Sequence, residues 1–505
     1  MIPAGSPDDN GRTVAAPGAN LALALLLGIN LFNYIDRQIL SAVLPKLQLD
    51  AALFNPADPW LQTKAGALTT AFMISYMLMS PVFGRLGDRM SRWLIVGLAV
   101  TVWSIASGCS GFAATYWMLL ATRALVGIGE AAYGPIAPAM ISDLYPTRMR
   151  GRVMSYFYLA IPVGSALGFV IGGQLEEWSG DWRTAFHVTF VGVAFGVLCL
   201  FMREPPRPVA RPSAASGQSY FGVLRTLRRN RSFVYCCLGM TCTTFVLGGV
   251  AVFVPTYIFQ RDARFELNQS SVMKLEALED TAGRPVVAPD VIVKLRPKLS
   301  DDERTFADMR NLLRDTLTED ELTQYGQRVY EAATAKGSIS NGAVTFRFGV
   351  ITVLMGLTAT LLGGIFADRL RERGVRGAYF KVAGWSTIAG WPLFVGFLFA
   401  PNPWSWVFLA GAIFFLFFNT GPANTILANV VSSSIRATAF AINILVIHAL
   451  GDAISPTIIG FVSDLSDLRT AFVGVSFLIL VGGGLWVMGA KSLDDDTTRA
   501  MSQEH

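Results

Sequence analysis

A chain of 505 residues that is 52% hydrophobic and only 15% charged is too apolar for a soluble protein of that size. Its formal charge of +5 lies in short loop stretches, with no basic patch interleaved with aromatics, so no nucleic-acid partner is implied. The five cysteines, Cys109, Cys199, Cys236, Cys237 and Cys242, fall inside apolar runs, which argues against a disulfide framework or a metal site, and no cofactor is called for.

In chain order, residues 1–19 are polar and rich in Gly, Pro and Ala and read as a disordered tail. Twelve apolar stretches follow. Each can cross a bilayer, which takes about 20 mainly apolar residues because every backbone polar group must be bonded within the segment. The first six, 20–46, 65–84, 93–112, 115–142, 152–175 and 184–202, make an N-terminal bundle over 20–202. The first of them carries Asp36-Arg37 deep in its sequence and is too long for a secretory signal. Residues 203–232 form a linker rich in Pro, Ser and Arg, with a short amphipathic surface helix expected over Tyr220–Arg229. The last six, 233–258, 344–367, 378–400, 404–430, 437–463 and 468–490, make a C-terminal bundle over 233–490, followed by a tail over 491–505.

The C-terminal bundle is interrupted by a densely charged insertion over 259–341 that faces the outside. Within it Asp301–Ala335 reads as helical, since Phe306, Met309, Leu312, Leu313 and Leu317 recur at three- and four-residue spacings. The insertion forms either a small helical cap over the outer mouth or a loosely ordered loop. Arginines crowd the loops of the opposite side: Arg85, Arg89 and Arg92, then Arg148, Arg150 and Arg152, then Arg369, Arg371, Arg373 and Arg376. That bias places both termini in the cytoplasm. The excess of arginine over lysine points to a bacterial inner (plasma) membrane.

Two loops repeat. Gly84-Arg85-Leu86-Gly87-Asp88-Arg89 recurs in altered form as Gly364-Ile365-Phe366-Ala367-Asp368-Arg369, each after a long apolar run. A membrane protein of two similar halves suits transport, because two rocking bundles expose one central site to each side in turn. Gly84, Asp88, Arg89, Gly364, Asp368 and Arg369 are therefore the expected conformational elements.

Ionisable groups within spans cost about 3 kcal/mol each on insertion scales and mark water-filled cavities. The first span has Asn33, Asp36 and Arg37, the fourth Arg123 and Glu130, the eighth Arg347, and the eleventh His448 and Asp452. Glu130 is the expected titrating group, with Arg123 as its modulator and Asp36 as a second proton acceptor. The alternative is a fixed ion pair holding the first and fourth spans together. Asn33, Arg37, Arg123, Tyr133, Arg347, His448 and Asp452 are expected toward the substrate, and Phe72, Met73, Phe414 and Phe418 along apolar cavity walls. Gly164, Gly168 and Gly172, every four residues, allow another helix to approach closely. Pro135, Pro138, Pro162 and Pro456 are expected kinks. No Walker loop, HExxH or nucleophile elbow is present, so an enzyme is not expected.

Twelve spans in two halves with the repeated loop resemble the major facilitator superfamily. Within it, Asn33-Tyr34-Ile35-Asp36-Arg37, Gly127-Ile128-Gly129-Glu130-Ala131, Ala160-Ile161-Pro162-Val163-Gly164-Ser165 and His448-Ala449-Leu450-Gly451-Asp452 resemble the Spinster family. The resemblance implies an all-α fold of two pseudo-symmetric six-helix bundles, with Asp36, Arg123 and Glu130 at the family's proton and substrate positions. It also implies a monomeric secondary active transporter of a lysophospholipid-like or sphingoid substrate, coupled to protons. Transport of small organic anions or drugs fits the same charges, and a non-transporting sensor that uses the insertion is the reading from a different class.

Overall fold

The computed structural model describes residues 15–55, 58–204, 220–279, 284–432 and 435–502. Residues 1–14 of the expected tail, 205–219 of the expected linker, and the side chain of Asp88 lie outside that set. Among the described residues, twelve helices are long and apolar enough to span a membrane. In the first half they are TM1 (Ala19–Leu47), TM2 (Leu61–Gly87), TM3 (Arg92–Ser110), TM4 (Tyr116–Leu144), TM5 (Arg152–Ser179) and TM6 (Arg183–Leu200). In the second half they are TM7 (Arg231–Asp262), TM8 (Asn341–Glu372), TM9 (Ala378–Phe399), TM10 (Trp404–Asn429), TM11 (Thr438–Leu465) and TM12 (Leu468–Gly489). The face that carries the insertion is called the insertion face, and the other the terminal face.

Among the described residues, TM6 passes through a 3-10 segment over Val188–Val191, and three other spans are broken, each at the carbonyl that a proline four residues on leaves without an amide partner. TM4 divides into Tyr116–Glu130 and Tyr133–Leu144 around Ala131, ahead of Pro135. TM10 divides into Trp404–Phe417 and Thr420–Asn429 around Phe418, ahead of Pro422. TM11 runs as a helix to Ile447, passes through a π-turn over His448–Asp452 with non-helical torsions at Gly451, and resumes as Ser455–Leu465 after Pro456 enters. Pro138 and Pro162 sit within continuous helical segments, Tyr133–Leu144 and Thr147–Ser179.

Small residues set the bundle spacing. A Cβ on Gly164 would lie 2.7 Å from the Leu31 carbonyl oxygen and 2.8 Å from Tyr34 Cβ, and Gly168 and Gly172 face Ile35 and Ala42 in the same way, so the glycine row of TM5 seats TM1. Gly127 and Gly129 do the same for TM4 against TM2 and TM3, touching Phe72 and Trp103. These glycines serve close packing.

At the insertion face the two halves are joined by directional bonds. TM2 begins at Leu61 after Trp60, whose side chain makes no capping bond. The missing cap comes from the other half: Asp464 of TM11 accepts from the amides of Gln62 (2.8 Å) and Thr63 (2.7 Å) and from Thr63 Oγ1 (2.7 Å). Trp60 also stacks on Phe461, with centroids 5.5 Å apart. Deeper in, the hydroxyls of Thr70 and Thr457 bond at 2.8 Å. Across the second seam, Asn341 at the start of TM8 donates to the Ala42 carbonyl (3.0 Å) and to Glu176 of TM5 (2.9 Å).

The insertion folds as a small unit. Arg264–Phe265 pairs antiparallel with Arg304–Thr305, and the helices Gln269–Glu276, Pro289–Leu295, Phe306–Thr316 and Glu319–Ala332 enclose an apolar core. Capping boxes at Thr305 with Asp308 and at Thr318 with Glu321 start the last two helices, and for that reason Asp301–Ala335 is two helices and not one. Lys294 donates to Glu321 (2.5 Å) and holds its carboxyl below the usual range. The core takes in Leu49, just past TM1, and Phe259 of TM7, so the unit is seated on ends of both halves.

Two outcomes are expected. Gly164→Val should destabilise the protein by about 1–3 kcal/mol through overpacking, seen as a lower unfolding temperature in detergent; an unchanged melt would mean TM1 and TM5 are not in close contact. Asp464→Ala should raise the population in which TM2 and TM11 separate by roughly tenfold, the loss of a charge-assisted bond. Spin labels at Leu61 and Leu465 report it as a longer-distance fraction, and identical distance distributions would dismiss the cap as a latch.

Candidate functional site

The in-span charges of the first half converge on one network. TM1 supplies Asn33 and Asp36, both buried, and Arg37, partly buried, because the glycines of TM5 draw it into the bundle. TM4 supplies Arg123 and Glu130, with Glu130 the last residue before the break at Ala131. Arg37 Nε donates to Glu130 Oε2 at 2.6 Å; the Glu130 side chain has no solvent exposure, whereas Arg37 keeps 18%. The Arg37 guanidinium also lies 5.1 Å from the Tyr34 ring, 5.2 Å from Phe72 and 5.0 Å from Tyr76, an aromatic cage that favours a partly desolvated cation.

Arg123 is placed differently from expectation. Its guanidinium donates to Ser110 Oγ (2.8 Å) and Ser107 Oγ (3.2 Å), and Ser107 in turn donates to Asp36. Ser110 donates on to Thr122 (2.9 Å), and the Phe186 ring lies 5.1 Å from the Arg123 guanidinium. The direct partner of Glu130 is thus Arg37, and Arg123 reaches Asp36 through a serine. The reason is geometric: Arg123 and Glu130 are seven residues apart, so about 10 Å of helix axis separates them.

Among the described residues, three buried atoms of this network have no hydrogen-bond partner: Asp36 Oδ2, Glu130 Oε1 and Arg123 Nε. A half-satisfied buried polar cluster is costly for stability and suits a site that rearranges or receives a ligand.

The second half offers His448 and Asp452, on the π-turn of TM11. His448 Nδ1 bonds Asp452 at 2.9 Å, so the two partner each other and not a neighbouring helix, with side-chain exposures of 30% and 22%. Asp452 lies against Gly248 of TM7, and the π-turn packs on TM2, the helix that carries Phe72 and Tyr76. A π-turn within a spanning helix is a frequent mark of a functional position.

Two expected substrate residues sit elsewhere. Tyr133 is buried and its hydroxyl donates to the Leu26 carbonyl (2.5 Å), with its ring edge-on to Trp103, so it pins TM4 to TM1. Arg347 is exposed near the start of TM8 and lines a separate cleft of about 530 Å³ with Gln174 and Glu177 at the seam of TM5 and TM8. Of the repeated loops, Asp368 accepts from Tyr379 (2.7 Å), within the second half. Ser107, Ser110, Thr122, Tyr34 and Tyr76 were not singled out from the sequence, since hydroxyls and tyrosines are common in spans and only their partners distinguish them.

Residues 26–276 match the family described as Major Facilitator Superfamily. Protein spinster homolog 1 of Homo sapiens is 32% identical, over 98% of this chain and 85% of its own length. Protein spinster homolog 3 of Danio rerio is also 32% identical, over 92% and 80%. The chain belongs to the Spinster family of the major facilitator superfamily. Like other members, it is a membrane transporter of two six-helix halves. Its fold matches a crystal structure of a bacterial homologue of the human lysosomal transporter Spinster, in an inward-facing and unoccupied conformation, with a TM-score of 0.69 and 19% identity over 95% of this chain and 99% of that one. A D-xylose–proton symporter matches with a TM-score of 0.61 and 14% identity. For this Spinster-family chain the ion pair is the most accessible element to test. Arg37→Met and Glu130→Gln should each lower the unfolding temperature, and the double variant should recover part of the loss, giving a coupling of about 2 kcal/mol. Strict additivity would show that the two side chains do not interact.

Proposed function

We propose that this transporter moves an amphipathic or lipid-like anion by alternating access, coupled to protons through Glu130. The observation that carries the reading is the Arg37–Glu130 pair, in which the carboxylate is fully enclosed and the arginine side chain keeps partial exposure. With the seams tied at the insertion face, access to Arg37 runs from the terminal face. An anionic head group entering there competes with Glu130 for Arg37. A carboxylate that loses its cation in a low-dielectric site takes up a proton, because burial disfavours its charged form. Substrate binding and protonation are thereby linked at one guanidinium. Arg37 takes the modulating role expected of Arg123, while Asp36, held through Ser107 to Arg123, remains a second proton acceptor.

The broken helices supply the movement. The π-turn of TM11 places His448 and Asp452 on the opposite half, where they meet the substrate as the halves rock. Asn33, buried beside Glu130 in the network, is a further polar contact for the head group. The repeated loops, with Gly84, Asp88, Arg89, Gly364, Asp368 and Arg369, control the terminal face. That face is cytoplasmic by its arginine bias, in a bacterial inner membrane.

The three-ring cage around Arg37 favours a second substrate class, small aromatic acids, whose ring stacks in the cage while the carboxylate meets the guanidinium. Proteoliposomes loaded with a pH-sensitive dye separate the readings. A lysophospholipid or sphingoid lipid should drive proton movement that is lost in Glu130→Gln while the variant still binds the ligand. Flux with aromatic acids alone assigns the second class, and wild-type coupling in the variant would remove Glu130 from the mechanism.

A further inference from the structure

A second cavity, of about 800 Å³, opens on the terminal face, away from the transport network. Four segments enclose it: the helix Tyr220–Arg229, the start of TM7, the end of TM12, and a C-terminal helix over Leu493–Ser502. Its rim carries Arg228, Arg229, Arg231, Lys491 and Arg499, and all five are exposed. Val234, Tyr235 and Met488, on TM7 and TM12, form its wall inside the span.

The cavity is held in shape by bonds that do not consume most of these cations. Asp496 is buried, accepts from the Ser232 amide at 3.0 Å and meets Arg499 at 3.3 Å. The hydroxyls of Ser232 and Ser492 bond at 3.0 Å. The helix Tyr220–Arg229 is fastened by buried Val223 and Leu227. Among the described residues Arg228, Arg229, Arg231 and Lys491 have no salt-bridge partner, and Asp495 is the one lining carboxylate not already bonded to the scaffold. A loop bias explains arginines on this face, but not their assembly from two distant segments, 228–231 and 491–499, around one cavity. Such a cavity, basic at the surface and apolar within the span, matches a phosphate carried on a hydrocarbon anchor.

We propose that this cavity binds the head group of an anionic phospholipid from the leaflet at the terminal face, with its phosphate among Arg228, Arg229, Arg231 and Lys491 and its glycerol and acyl start along Tyr235 and Met488. The lipid thereby fastens the linker helix, the last element before TM7, to the end of TM12. The site is separate from the Arg37–Glu130 pair and takes a structural lipid, not the transported one.

Native mass spectrometry and thermal unfolding of the detergent-solubilised full chain test this with phosphatidylglycerol, phosphatidylcholine and inorganic phosphate as probes. Phosphatidylglycerol should be retained and stabilise the protein, while phosphatidylcholine and millimolar phosphate do neither. The variant Arg228→Gln/Arg229→Gln/Arg231→Gln should bind phosphatidylglycerol about a hundredfold more weakly, from about fivefold per cation removed. A control with equal charge removed from the same face but away from the cavity, Arg85→Gln/Arg152→Gln/Arg203→Gln, should change binding by less than about tenfold. If the first triple does not fold, Lys491→Glu alone should weaken retention at least fivefold. Equal losses in both triples would reduce the site to diffuse surface charge. Stabilisation by free phosphate matching that by the lipid, or no preference for phosphatidylglycerol over phosphatidylcholine, would also overturn the proposal.

Discussion

A charge inside an apolar span has to be answered by another charge or by water, and this chain answers it with the pair Arg37 and Glu130. The pair dictates much else. TM1 must approach the bundle axis closely enough to reach TM4, which is why TM5 presents Gly164, Gly168 and Gly172 to it. Glu130 must end a helical segment if its surroundings are to shift, and TM4 breaks at the next residue. Arg37 must be partly shielded without being neutralised, and the rings of Tyr34, Phe72 and Tyr76 do that.

The same economy governs the breaks. Proline withholds one amide, and the carbonyl four residues earlier is released. In TM4 and TM10, corresponding spans of the two halves, the breaks are simple. In TM11 the release falls on Asp452 itself, and the helix widens into a π-turn around His448. A span interrupted in this way has two short rigid arms and one joint, and His448 and Asp452 both sit on the joint.

The fold was highly legible in the sequence, because membrane spanning leaves only a long apolar helix as the local solution. The span limits shifted by a few residues at most of the ends, where polar flanks continue the helix. The ionisable residues were equally visible, since each one stands out against an apolar run. Their pairing was not. Helical spacing placed Arg123 and Glu130 on one face, but it carries no information on whether Arg37 or Arg123 faces the carboxylate across the bundle. The rotation of TM1 decides that, and the glycines that set this rotation specify a distance more than an angle. Tyr133 shows the same limit: it is expected toward the substrate, whereas its hydroxyl is spent on the Leu26 carbonyl of TM1. The docking of the C-terminal helix on TM7 depends on Asp496 meeting one amide, and charge alone, in a run of three aspartates, does not reveal it.

The cap that Asp464 lends to TM2 has one more consequence. The backbone hydrogens of Gln62 and Thr63 are bonded across the seam and not along their own helix, so they are protected only while the halves are together. Their exchange with solvent deuterium is therefore tied to separation of TM2 from TM11 and not to fraying of TM2. Two amides in an ordinary first turn become a built-in clock, and its ticks count how often the protein opens.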